Sequence, residues 1–129
     1  MKLLLDTHAF VWATSAPERL TKETREAIAD PRNDVFISAA VAWEIAIKYA
    51  LKKIDLPVAP ATYVPTRVAA LGFKALPITM EHTLAVGALA DYHRDPFDRL
   101  LIAQAQVEGF TLVTSDEHIQ RYNVHWMAA

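Results

Sequence analysis

The chain has no cysteine among its 129 residues, which excludes disulfides, thiolate metal sites and cysteine nucleophiles together. Glycine is scarce, at three, while 53% of the residues are hydrophobic, so disorder and low-complexity linkers are excluded too. Neither sign of charge dominates. Thirteen basic against 15 acidic residues leave a net charge of −2, and nothing announces a polycationic surface that grips nucleic acid by charge alone. The longest apolar runs are broken by Glu44, Lys48, Asp98 or Arg99, too short to span a bilayer. Met1-Lys2 leads through Leu3-Leu4-Leu5 straight to Asp6, too short a stretch for a signal-peptide core. These absences predict a soluble cytoplasmic protein, a single domain over residues 1–129. A chain of that size buries roughly two-thirds of the surface its unfolded form exposes.

What is present alternates between short apolar runs and helical stretches. Leu3–Leu5 and Val35–Ile37 have the continuous hydrophobicity of buried parallel strands, and 73–78, 110–114 and 124–126 are three further strand candidates. Pro77 places the third of these near a sheet edge. Between them the pattern predicts helices over 7–13, 22–30, 39–52, 62–71, 79–91, 97–108 and 116–122. Ser38 and Ser115 are expected as caps, and Asp95-Pro96 and Gly109 punctuate the helix between them. Strands alternating with helices mean an α/β fold around a mostly parallel sheet.

On that map the acids fall where such sheets build their sites. Asp6 follows the first strand directly, and Asp116 follows the strand at 110–114, both at carboxyl ends. Asp98 lies in the first turn of its helix. Each has a structural reading: Asp6 as a helix cap worth about 1 kcal/mol, Asp98 and Asp116 as first-turn acids worth about 0.3–1 kcal/mol. Asp95 is accounted for as the N-cap before Pro96. Glu44 is harder to excuse, because Ala40, Val41, Ile47 and Leu51 surround it at helical spacing. Its helix is apolar nearly all round, which predicts burial on more than one side. An exposed pair with Lys48 is the structural reading; a buried carboxylate needs a cation or a proton. Four carboxylates within about 4–6 Å repel by roughly 3–4 kcal/mol per close pair at an effective dielectric near 20. A small hard divalent ion removes that penalty, and an all-oxygen donor set favours Mg²⁺ or Mn²⁺ over Zn²⁺. Such a site activates water at a phosphodiester.

Four blocks, LLLDTHAFVW, ISAAVAWEIAIK, HRDPFDRLLIAQA and LVTSDE, appear in order and at spacings that resemble a PIN-domain ribonuclease, more closely a VapC-type toxin of a type II toxin–antitoxin pair. The likeness runs from Leu3 to about Trp126. It implies a three-layer α/β/α PIN-like fold and an endoribonuclease whose acids hold Mg²⁺ or Mn²⁺. Asp6 matches the family's first-strand aspartate, Glu44 the acid of the middle helix, Asp98 the aspartate heading the block that continues LLIAQA, and Asp116 the aspartate of the TSD segment. All four are therefore expected as catalytic metal ligands, Asp6 and Asp98 primary, with Glu44 and Asp116 acting directly or through water. Thr114 or Ser115 matches a hydroxyl that supports the metal shell. The implied partners are a VapB-like antitoxin that blocks the acidic pocket, a structured RNA substrate (tRNA or rRNA), and a second copy in a homodimer.

Weaker candidates complete the reading. Arg94 and Arg99 flank the Asp95/Asp98 turn and are either phosphate contacts or solvated partners of nearby acids. His93 has a reading in acid–base chemistry, but is expected rather at the surface or at a helix end. His8, His82, His118 and His125 lack metal-ligand spacing and are given no role. Trp12, Trp43 and Trp126 are expected as core or dimer contacts. A receiver domain would show adjacent acids after the first strand and a late lysine, but Thr7 follows Asp6 and Thr114-Ser115-Asp116 offers no lysine. A dehalogenase-like phosphatase needs D-x-D, where this chain has His8. The remaining alternative is a catalytically idle PIN-like module that binds antitoxin or RNA without cleaving it.

Overall fold

A computed structural model describes residues 1–129. Five strands, β1 (Lys2–Leu5), β2 (Asp34–Ser38), β3 (Lys74–Leu76), β4 (Thr111–Val113) and β5 (Trp126–Met127), form one sheet in the order β3-β2-β1-β4-β5. Every pairing is parallel, with Leu4 opposite both Phe36 and Leu112. β1 is central, and Leu3, Leu4 and Leu5 are fully buried, as a strand covered on both faces requires. Pro77 ends β3, which is an edge strand as expected, its sequence neighbour being unable to extend the ladder.

The helices are α1 (Thr7–Ser15), α2 (Lys22–Ala29), α3 (Ala39–Ala50), α4 (Pro60–Ala70), α5 (Met80–Ala85), α6 (Pro96–Glu108) and α7 (Glu117–Gln120). From β1 the chain steps to β2 and β3 on one side, then crosses back to β4 and β5 on the other. Right-handed crossovers therefore put α1–α4 on one face and α5–α7 on the opposite face, a three-layer α/β/α sandwich. The reversal makes β1 and β4 neighbours at a switch point, where loops leave in opposite directions and open a crevice at the carboxyl ends of the strands. No helix is long and apolar enough to cross a membrane.

α6 is the best-determined element, and the sequence says why. Asp95 caps it by accepting from the backbone N–H groups of Phe97 (2.8 Å) and Asp98 (3.1 Å), and Pro96 occupies its first turn. Gly109 ends it in the left-handed region, at φ 72°, which only a residue without Cβ adopts freely. Leu100 through Ala105 are all buried, so α6 is enclosed between the sheet and its neighbours.

Three local expectations are corrected. The helix expected over 79–91 stops at Ala85 and gives way to a single 3-10 turn, Val86–Ala88. The carbonyls of Val86 and Ala90 find distant donors instead: Arg99 reaches both, and the Tyr122 hydroxyl donates to Ala90 at 2.7 Å. Ser115 is not the cap of α7; Asp116 is, accepting from the His118 N–H at 2.8 Å. α3 is not buried on several sides: Ala40, Val41, Glu44 and Ile45 face inward, while Trp43 is 57% exposed and Ile47 and Tyr49 are also open. A helix of one outer layer has one face to bury, whatever its composition. Trp43 accordingly lies outside the core, edge-on to Phe97, and Trp126 is exposed on edge strand β5.

Candidate active site

The switch-point crevice is a pocket of about 440 Å³ lined by eleven residues, of which Asp6, Glu44, Asp98 and Asp116 are four. All four acids singled out in the sequence therefore meet in one place. Asp6 sits directly after β1 and caps α1, accepting from the Ala9 N–H at 2.8 Å, while its own N–H donates to the Val113 carbonyl of β4. Its capping and site-facing readings are thus both true, since a cap at the end of a central strand necessarily faces the crevice. Asp98 comes from the first turn of α6 and Asp116 from the loop after β4.

Thr114 ties the two strand ends together. Fully buried, its hydroxyl oxygen accepts from the Asp116 N–H at 3.0 Å and its proton supports the Asp6 carboxylate. Of the two hydroxyls considered, Thr114 is the one bound to the acids; Ser115 lines the pocket but donates to the Ala129 carbonyl.

Glu44 is buried on the inner face of α3 and is already provided for. Lys48, one turn on, forms an ion pair with Oε2, and the Thr7 hydroxyl donates to Oε1 at 2.6 Å. The pair read as an exposed decoration is instead the cation that a buried carboxylate requires, with Lys48 only partly exposed. Glu44 holds the Lys48 ammonium above its usual range.

His93 is the residue that sequence reasoning misplaced. It belongs neither to a helix end nor to open surface: its Nε2 lies 3.0 Å from Asp98 Oδ2 and 2.8 Å from Asp116 Oδ2, and its Nδ1 accepts from the Asp95 N–H at 3.1 Å. The ligand atoms of His93, Asp98 and Asp116 all fall within 4.8 Å of one another. The signal was present in the chain, because His93 is two residues before the Asp95 cap and thus beside the first turn of α6. What hid it was the expected continuation of α5, which would have carried it elsewhere. Arg99, open in the sequence to a phosphate or to nearby acids, is engaged elsewhere in the fold. Its guanidinium is taken up by the carbonyls of Val86, Ala90 and His93 and by the Tyr122 hydroxyl. His8 and Trp12, given no site role, line the pocket as well.

Electrostatics follow from this crowding. Burial pushes the Asp98 carboxyl up to about 7, and the charge of Asp95 adds to it, against the pull of His93. Burial also raises Asp6, opposed by hydrogen bonds from Thr114 and Ala9. At Asp116 burial raises the carboxyl too, but His93 and the N–H groups of His118 and Ile119 outweigh it, leaving it below its ordinary value. The pocket thus gathers more negative charge than its own cations neutralise, from donors that are almost all oxygen. That set fits a small hard divalent cation.

The profile of the PIN domain family matches residues 3–124. Over 61 residues the chain is 46% identical to ribonuclease VapC16 of Mycobacterium tuberculosis, a match that takes in 47% of this chain and only 43% of that relative. Ribonuclease VapC22 of the same organism is 27% identical over 121 residues, covering 93% of this chain and 91% of that one. Among solved structures, the VapBC2 complex of Rickettsia felis bound to a promoter DNA fragment superposes with a TM-score of 0.75 at 19% identity, over 100% of this chain and 99% of that chain. A DNA-bound VapBC of Salmonella typhimurium gives 0.70 at 16% identity, over 99% and 98%. The chain belongs to the PIN domain family.

Proposed function

We propose that this protein is a divalent-metal-dependent endoribonuclease, the toxin of a toxin–antitoxin pair, cutting structured RNA such as tRNA or rRNA. The observation that carries the reading is the convergence of Asp6, Glu44, Asp98 and Asp116 on one crevice at the carboxyl edge of the sheet. A pocket built only to bind has no use for a carboxyl that burial first, and its acidic neighbours second, push up to about 7, as they do Asp98. The similarity to the two VapC ribonucleases supports the reaction class, and the VapBC complexes among the fold neighbours support a VapB-like antitoxin as partner.

In this mechanism Asp6, Asp98 and Asp116 would hold Mg²⁺ or Mn²⁺, with Glu44, fixed by Lys48 and Thr7, taking part directly or through a water. Such an ion would neutralise charge developing at the scissile phosphate and lower the pKa of an attacking water. The chain's own groups supply the rest. Thr114 keeps Asp6 and Asp116 in register, and Lys48 at the pocket wall holds Glu44 in place.

Cleavage of end-labelled total tRNA, with Mg²⁺ or Mn²⁺ against EDTA, tests the reading. Discrete metal-dependent cuts are expected from the native protein. Asp98→Asn, which preserves shape and a hydrogen-bond acceptor for His93, is expected to lose on the order of 100-fold or more, the several kcal/mol that metal activation contributes. Folded protein that cuts neither tRNA nor rRNA under either metal returns the idle binding module.

A further inference from the structure

The tautomer of His93 is settled by its neighbours. A ring nitrogen that accepts a backbone N–H carries no proton, and Nδ1 accepts from Asp95. The ring proton is therefore on Nε2, the atom placed between Asp98 Oδ2 at 3.0 Å and Asp116 Oδ2 at 2.8 Å. A protonated nitrogen has no lone pair to give a metal ion. In this arrangement His93 Nε2–H donates to Asp116 and lies in ion-pair reach of Asp98, rather than standing as a third ligand beside them.

The segment carrying His93 is strapped down for that task. The Tyr122 hydroxyl accepts from the N–H groups of Tyr92 (3.1 Å) and His93 (2.9 Å), and Arg99 donates to the carbonyls of Ala90 (2.9 Å) and His93 (3.1 Å). His82 shows the same wiring without the same opportunity. Its Nδ1 accepts from the Thr79 N–H and its Nε2 meets a single carboxylate, Glu108, at 2.9 Å. His82 is sealed in the fold at 1% exposure, whereas His93 faces the pocket.

We propose that His93 is a positioning residue that stands in for the cation: its Nε2–H holds Asp98 and Asp116 together until a divalent ion displaces the ring and takes both oxygens. The inference rests on the metal-dependent reading above and deepens it. An ion that takes the two oxygens facing the ring competes with its Nε2–H for them. Without the ring, the two carboxylates face each other with only an ion to relieve them.

Mn²⁺ binding to the whole protein, followed by calorimetry or by the electron paramagnetic signal of free Mn²⁺, tests this without any RNA. His93→Ala is expected to bind Mn²⁺ more tightly than native protein, on the order of fivefold, as one competitor is removed and one like-charge contact is left open. Weaker binding by His93→Ala makes the ring a ligand and overturns the proposal; unchanged binding overturns it as well. If neither protein binds Mn²⁺, the metal-dependent reading itself fails and takes this inference with it. Nitrogen-15 spectra of the native protein need no variant. The proton is expected on Nε2 without metal, and Mg²⁺ is expected to shift the His93 ring signals while those of His82 stay in place. A proton on Nδ1, or a ring indifferent to Mg²⁺ that the protein does bind, overturns the assignment.

Discussion

The two edges of the sheet carry acids under opposite conditions. At the amino edge Asp34, which opens β2, pairs with Lys74 of β3 at 3.0 Å, and Asp30 pairs with Arg32 at 2.8 Å. Lys74 and Arg32 hold these carboxyls below their ordinary range, Asp30 at about 2. At the carboxyl edge Asp6 is buried and Asp98 half-buried, both are raised, and Lys48, the one lysine or arginine lining the pocket, is committed to Glu44. The amino edge is finished within the chain. The carboxyl edge is left for something from outside to complete, which is the physical content of calling it a site.

The largest way to break that contrast is Asp98→Asn, whose effect on cleavage is given above. Thr114→Val comes next. It keeps the shape of a fully buried side chain but leaves the Asp116 N–H without its acceptor and Asp6 with the Ala9 N–H alone. An unsatisfied buried group costs about 1–3 kcal/mol, so thermal unfolding is expected to shift down by several degrees. Support of this kind behind metal ligands is worth about 10–100-fold in affinity or activity, and cleavage is expected to fall in that range. Full activity in a folded Thr114→Val would detach Thr114 from the site.

A pH series sharpens the comparison in the metal-free protein, because the two edges respond in different windows. Asp98 has a folded pKa of about 7 against an ordinary 3.8, so between those values the native state keeps a proton that the unfolded chain has lost. Stability from this group is full below the unfolded value and is lost as pH rises through about 7. Asp6 adds to the same decline. Asp30, Asp34 and Asp116 are lowered, so their contribution is present above the unfolded value and lost as pH falls through their folded values. Melting temperatures in EDTA are expected to fall on both sides of about pH 4, the ordinary carboxylate range. Asp98→Asn flattens only the neutral-side fall and melts a few degrees higher than native protein above pH 7. A neutral-side decline unchanged in that variant would assign it to another group.

Much of this was legible in the chain before any coordinates. β1 and β2 declare themselves because central parallel strands are buried on both faces and read as unbroken apolar runs. α6 does so because Asp95, Pro96 and Gly109 act locally. Asp6 and Asp116 could be placed on one edge because each follows a strand, and Asp98 and Glu44 joined them through the family resemblance. What the sequence did not yield depends on long-range partners. The end of α5 is set by Arg99 and Tyr122, residues far along the chain that take over its carbonyls. His93 was misplaced for the same reason, and whether the Glu44–Lys48 pair lies in the open or inside the fold depends on how deeply α3 sinks its inner face. Exposed Trp43 and Ile47 show the limit of composition, which cannot tell a buried apolar face from an unpartnered one.

The smallest expected effect is the control that gives the others meaning. Lys74→Ala removes the partner of Asp34 from an exposed pair, whose attraction is offset by side-chain entropy and screened by salt. At physiological ionic strength the melting temperature is expected to stay within error, with a small loss appearing only as salt is lowered. The Asp34 carboxyl, followed by NMR, is expected to rise toward its ordinary value, since Lys74 is what depresses it. RNA cleavage is expected to be unchanged, because the pair lies at the opposite edge of the sheet from the pocket. A loss of cleavage in Lys74→Ala would mean that the amino edge takes part in gripping substrate. The contrast between a finished edge and an open one would then have to be redrawn as two halves of one RNA-binding surface.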